Sequence, residues 1–300
     1  MISRLPWTTW LRRIIYIIVL VGLVFFLIRQ GAEPWRIMLA NWPAFLAVIM
    51  ITSLGILIQA NAFKTCLPEE GQNFSLHRLI YIWAISGVSS LLAPLIAGLA
   101  MRTLLLQREG IRLKASILAT MRQTWFSCEY ACFLGAIVLV LYPWPAMPWL
   151  GYVFGFAGFG SWLLRKILLK YQISLIIHYF PSLLKAAYCP SWTAFFWLWG
   201  QLIAMAVNYW AAYLLMGAQL MWHESFLLGA ITVLASIVVF IPNGLGILDA
   251  LWLWVAHQKG MALEQSVALV LTMRFGYLTA AILLSGALSY VGWKTHPADG

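Results

Sequence analysis

The sequence has 300 residues, of which 63% are hydrophobic and only 9% charged, against roughly 25% charged in an average soluble domain. A soluble fold of this length has too little interior to hide so much apolar surface, so the composition fits lipid as the solvent. The net charge of +10 does not point to nucleic acid, because the basic residues fall in short clusters between apolar runs, where they meet anionic headgroups and set topology.

In chain order, apolar runs able to enter a bilayer lie at roughly 14–28, 38–63, 79–101, 123–142, 150–164, 192–216, 226–257 and 265–291. A spanning helix needs about 20 residues, so the short runs 14–28 and 150–164 lean on flanking aromatic and basic side chains. The amino terminus carries Arg4, Arg12 and Arg13 ahead of the first run. It resembles a signal peptide but has no small-x-small cleavage site, and is read as an uncleaved first span. Residues 165–190 mix Arg165, Lys166, Lys170 and Lys185 with Ile, Leu and Tyr, the pattern of a segment lying along the interface. The 17 tryptophans suit the two membrane–water boundaries. The four cysteines, Cys66, Cys128, Cys132 and Cys189, show neither Cys-x-x-Cys nor zinc spacing, so neither a metal site nor a disulfide is expected.

Charge decides how many runs cross. If every run crossed once from an internal amino terminus, the basic segments 102–122 and 165–190 would face outward, against the positive-inside rule. If instead 79–101 and 226–257 enter, turn and leave on the side they came from, fifteen of the 19 basic residues fall inside. Arg29, Arg36 and Lys259 then lie outside, and Arg274 lies within a span. The expected fold is all-α: a polytopic integral membrane protein of about six spanning helices plus two re-entrant helical hairpins, with both termini cytoplasmic. The turning points read Ala93-Pro94-Leu95-Ile96-Ala97-Gly98 and Ile241-Pro242-Asn243-Gly244-Leu245-Gly246. Pro and Gly interrupt helices, and backbone freed at that depth is tolerated only where protein or a water-filled cavity satisfies it. A kinked ordinary helix is the alternative at each point.

The turning points head similar stretches. Pro94 and Gly98 are followed by Gly110 and Thr120-Met121-Arg122; Pro242, Gly244 and Gly246 are followed by Gly260 and Thr272-Met273-Arg274. In the charge-derived topology the first hairpin enters from inside and the second from outside. The expectation is one membrane domain over 1–300, with halves 38–142 and 192–291 as an inverted repeat and a binding site near the midplane. Chance similarity in a Leu/Ala/Gly-rich chain is the competing account.

The same stretches resemble the signature segments of the lysylphosphatidylglycerol synthase transmembrane family, the flippase region of multiple-peptide-resistance-type synthases and their stand-alone relatives. Gly98-Leu99-Ala100-Met101-Arg102 with Gly110 is similar to the first signature. Pro242-Asn243-Gly244-Leu245-Gly246-Ile247-Leu248-Asp249-Ala250, with Gly260 and Arg274, is similar to the second. The family usually has Glu where this chain has Asp249, so the carboxylate is one methylene shorter. The resemblance implies a bacterial inner-membrane protein that moves aminoacylated or other polar lipids between leaflets. The soluble aminoacyl-transferring domain is not expected, since the last apolar run ends just before Gly300, and no synthase activity is carried over.

Five residues are candidates for substrate binding: Arg102, Arg122, Glu129, Asp249 and Arg274. Arg274 lies ten residues past Glu264, roughly 15 Å along a helix, where inserting Arg costs about 2.5–3.5 kcal/mol. It either forms a buried ion pair with Asp249 or anchors a phosphate through its planar fork. Asp249 either caps a restarting helix or meets the ammonium of an aminoacyl headgroup. Arg102, expected near the inner interface, reads first as a topology-setting, snorkelling arginine. Arg122 and Glu129 share a helix face, as a helix-linking pair or as a substrate or proton site. No cofactor and no catalytic constellation is expected, so the chain is read as a non-enzyme. A lipid flippase-like transporter is the leading expectation, with a membrane phospholipid or lipid-linked substrate as its partner. A scaffold or accessory protein for an enzyme of envelope lipid or glycan assembly comes second, and an intramembrane transferase third.

Overall fold

The structure is a computed structural model that describes residues 31–67, 73–92, 96–143, 149–171, 192–235 and 247–295. Among these residues there are ten helices and no strand: α1 (Glu33–Ala40), α2 (Trp42–Cys66), α3 (Leu76–Leu92), α4 (Ile96–Arg108), α5 (Leu113–Leu141), α6 (Leu150–Tyr171), α7 (Trp192–Leu215), α8 (Trp222–Ala235), α9 (Ile247–Gln258) and α10 (Leu263–Thr295). Trp42–Cys66, Leu113–Leu141 and Leu263–Tyr290 are long and apolar enough to cross a membrane. Large apolar side chains stand exposed on the outer faces, among them Met50, Phe156, Phe196 and Leu283. In water such a surface would aggregate, whereas in lipid it is the solvated face. The chain is a helical membrane protein.

The apolar run 79–101 is divided into α3 and α4, and 226–257 into α8 and α9. Pro94, Pro242, Gly244 and Gly246 fall between these helices and lie outside the described residues. Gly98 is described. A Cβ there would collide with the Ser90 hydroxyl and come within 2.7 Å of the Ser86 carbonyl oxygen, so only glycine lets α4 lie this close to α3.

Both short helices end in the same turn. Ile111 N–H donates to the Leu106 carbonyl (2.9 Å) and Met261 N–H to the Ala256 carbonyl (3.1 Å). Gly110 and Gly260 sit between, with φ of 87° and 77°, a left-handed backbone that glycine adopts without steric penalty. Beside each glycine an ion pair ties the mouth of the helix pair. Glu109 meets Arg78 of α3 at 2.5 Å, and Lys259 meets Glu224 of α8 at 2.6 Å. The two ties have opposite polarity.

The packing is reciprocal. Helix α2 packs along α7; α10 packs on α3 while α5 packs on α8; α10 lies on α2 while α5 lies on α7. One apolar cluster gathers Phe63, Leu79, Trp83 and Leu106 around α3 and α4. Another gathers Tyr213, Leu248, Trp252 and Leu269 around α9 and α10.

Two boundaries differ from the sequence reading. Helix α5 starts at Leu113, ahead of the apolar run at 123, because its first turns carry Lys114 and Arg122 on a helix that continues without a breaker. Helix α6 continues to Tyr171, so residues 165–171 extend the helix of the preceding apolar run. Residues 172–190 of that segment lie outside the described residues.

Gly98→Ala forces α4 off the Ser86 carbonyl, and overpacking of this kind costs about 1–3 kcal/mol. A lowered thermal midpoint of the purified protein in detergent is expected. Gly160→Ala, where nothing lies within 4 Å of a new Cβ, should leave the midpoint unchanged or raise it.

Candidate functional site: a polar cavity inside the bundle

A membrane bundle must answer its polar side chains from within, because hydrocarbon offers no partner. Here they converge on one cavity of about 370 Å³ bounded by α2, α3, α4, α5, α7, α8, α9 and α10. Several lining hydroxyls are satisfied by their own helix: Ser90 donates to the Ser86 carbonyl (2.9 Å), Thr120 to Ser116 (3.0 Å) and Thr232 to Leu228 (2.8 Å). The amides are met less completely. Asn208 Nδ2 reaches Thr52 Oγ1 at 3.4 Å, while Asn208 Oδ1 and Gln201 Oε1 are buried with no hydrogen-bond partner among the described residues. Buried acceptors of this kind are costly until water or a ligand meets them.

Two arginines line the cavity. Arg274, on α10, donates through Nε to Asp249 Oδ1 at 2.9 Å and lies 5.0 Å from the Trp252 ring centroid. Asp249 stands in the first turn of α9, where the helix dipole favours a carboxylate. Arg102, on α4, lies 3.5 Å from the Trp83 ring centroid and 5.5 Å from that of Phe63. Its Nε is buried without a hydrogen-bond partner, and it forms no ion pair among the described residues. It is turned inward over an aromatic face.

The lining keeps a common spacing in the two parts of the chain. Thr52, Gly55, Ile56 and Gln59 on α2 are spaced as Gln201, Ala204, Met205 and Asn208 on α7, and all eight line the cavity. Gln123, Thr124 and Ser127 follow Gly110 at the same intervals as Met273, Arg274 and Tyr277 follow Gly260. Arg102 precedes Gly110 as Trp252 precedes Gly260. Counted from the glycines, Thr124 stands where Arg274 does, and Arg122 stands two positions short. The sequence match of Thr120-Met121-Arg122 to Thr272-Met273-Arg274 is therefore out of register with the cavity.

The five candidate residues separate accordingly. Arg102 and Arg274 share the cavity, with Asp249 against Arg274. Arg122 donates to the Cys66 carbonyl at 3.3 Å and does not line it. Glu129 accepts two bonds from Arg165 of α6, at 2.8 and 3.2 Å, with side chains only 2% and 8% exposed. The Arg165 guanidinium also lies 5.3 Å from the Phe126 ring. This pair fastens α5 to α6 away from the cavity. Sequence reasoning missed the amides Gln59, Gln123, Gln201 and Asn208, although an amide inside an apolar run is itself a signal. It also missed Tyr277, whose ring lies against Gly87 of α3.

A helical membrane protein with a polar, cationic cavity at the centre of its bundle is the class these features define. The chain matches the family described as the lysylphosphatidylglycerol synthase TM region over residues 13–286 and belongs to it. Searches of curated proteins and of solved structures give no match.

Glu129→Gln strands the buried Arg165 charge, and breaking such a pair costs about 3–5 kcal/mol. Chemical denaturation in detergent should read that loss. The Glu129→Leu/Arg165→Met double variant should recover most of it, because two apolar groups replace the pair.

Proposed function

We propose that the protein is a lipid flippase-like transporter that moves a polar or aminoacylated phospholipid, or another lipid-linked headgroup, between the leaflets of the bacterial inner membrane. The observation that carries this reading is a cavity holding Arg102 and Arg274 inside a bundle that exposes many large apolar side chains. Membership of a family named for lysylphosphatidylglycerol synthesis supports lipid as the substrate class.

In this reading α3–α4 and α8–α9 are re-entrant hairpins that enter from opposite leaflets, and the two halves form an inverted repeat with cytoplasmic termini. The reciprocal packing, the common lining intervals and the two mouth ion pairs of opposite polarity support it. Rocking of one hairpin and its long helix against the other opens the cavity to each leaflet in turn. The headgroup then crosses among hydroxyls, amides and guanidinium groups without entering hydrocarbon, while its acyl chains stay in lipid. No covalent step is needed, and the protein acts as a transporter without enzymatic turnover.

A second reading is an accessory protein for an enzyme of envelope lipid or glycan assembly. The Glu129–Arg165 and Asp249–Arg274 pairs favour it in so far as they lock helices together.

The reading is tested by reconstitution into liposomes with a panel of labelled lipids. Protein-dependent flipping of at least one lipid is expected, falling at least tenfold in Arg274→Gln, a loss worth about 1.4 kcal/mol. The Asp249→Asn/Arg274→Gln double variant, which leaves no stranded charge, should fold and be equally slow. Flipping unchanged in both variants contradicts the role given to the cavity. Absence of flipping with a co-purifying enzyme favours the accessory reading.

A further inference from the structure

Arg102 is a partly buried cation that meets no acid among the described residues. Arg274 carries its own counter-charge in Asp249, at 2.9 Å. No Asp or Glu stands among the described residues lining the cavity, and Asp249 itself lies against Arg274 and outside that lining. Once the Arg274–Asp249 pair is set aside as neutral, the cavity holds the positive charge of Arg102 with no acid among the described residues to match it, since arginine stays protonated in proteins.

The way Arg102 is held adds direction to that charge. The Arg102 guanidinium carbon lies over the ring of Trp83, 3.5 Å from its centroid. A cation stacked in this manner keeps its in-plane N–H donors for an oxygen acceptor. The Nε among them is buried and unpartnered. A planar fork of donors matches the oxygens of a phosphate. A cationic headgroup meets the reverse situation. An ammonium entering the cavity finds hydroxyl and amide oxygens but no carboxylate among the described lining residues, and it approaches two guanidinium groups.

We infer that the cavity selects headgroups of net negative charge, taking up a phosphate group on Arg102 and disfavouring headgroups made cationic by aminoacylation. This deepens the transporter reading and rests on it only for the phosphate being carried by a lipid. It narrows the substrate class to anionic phospholipids or phosphate-bearing lipid carriers. Trp83 is a positioning residue that holds the guanidinium toward the cavity.

The test is equilibrium binding to the purified full-length chain in detergent. The probes are short-chain phosphatidylglycerol, its lysyl ester and inorganic phosphate. The anionic lipid should bind at least tenfold more tightly than the lysyl ester and weaken as salt rises. Arg102→Gln should weaken the anionic lipid at least tenfold while leaving the lysyl ester unchanged or improved. Arg102→Lys, which keeps the charge and loses the fork, should fall between. Lysyl ester binding as tightly as the anionic lipid overturns the inference, and this comparison uses the unaltered protein, so it holds even if the Arg102 variants fail to fold. Folded Arg102→Gln that binds the anionic lipid as the unaltered protein does also overturns it. Inorganic phosphate binding as tightly as the lipid leaves the phosphate site in place and makes free phosphate its source. Anionic lipid that binds but is not flipped leaves this inference standing and removes the transporter reading. Flipping of a cationic lipid at equal rate with and without Arg102 does the opposite.

Discussion

A guanidinium group inside an apolar bundle must be answered by the protein itself, because lipid supplies neither hydrogen-bond acceptor nor counter-charge. Three arginines meet this constraint in three ways. Arg165 receives a bidentate carboxylate from Glu129 and disappears into the α5–α6 contact. Arg274 donates to Asp249 and still lines the cavity. Arg102 lies over the rings of Trp83 and Phe63 and meets no acid among the described residues. Arg165 thus acts as a helix fastener and Arg274 as a braced wall, while Arg102 is the group to which the proposed reading gives a ligand.

The geometry that makes this possible lies in the two broken apolar stretches. A helix that stops and restarts brings its short second half back against its neighbour, and side chains from both halves then reach the bundle centre. Glycine permits this where contact is closest, at Gly98 against Ser86 and Ser90. The turns at Gly110 and Gly260 redirect the chain into α5 and α10. Each of these long helices packs on the first helix of the other pair, α5 on α8 and α10 on α3. The cavity is the space that this exchange encloses, so its lining comes from eight helices and from neither part alone.

Much of this was legible in the residues. The distribution of basic residues and the Pro/Gly breakers marked where α3 gives way to α4 and α8 to α9, the family resemblance followed from the same motifs, and Asp249 was rightly weighed as the partner of Arg274. Other features were hidden for physical reasons. Arg165 looked interfacial because a cluster with Lys166 and Lys170 has the composition of a headgroup contact, and its acid, Glu129, is far away in sequence. Arg122 looked like a counterpart of Arg274 because Thr-Met-Arg recurs, yet a shift of two residues turns a helical side chain by more than half a turn. The polar lining of α2 and α7 escaped because each amide is isolated in its own run. Only the packing shows that Thr52 and Gln59 face the same space as Gln201 and Asn208.

In the proposed reading, two hairpins carry polar and charged side chains into the bundle from opposite faces of the membrane. Single cysteines placed at Glu109 and at Lys259 in a cysteine-free chain, beside the two glycine turns, test it with a membrane-impermeant thiol reagent. The account predicts labelling at 109 only from the cytoplasmic side and at 259 only from the opposite side. Labelling of both positions from one side would contradict it.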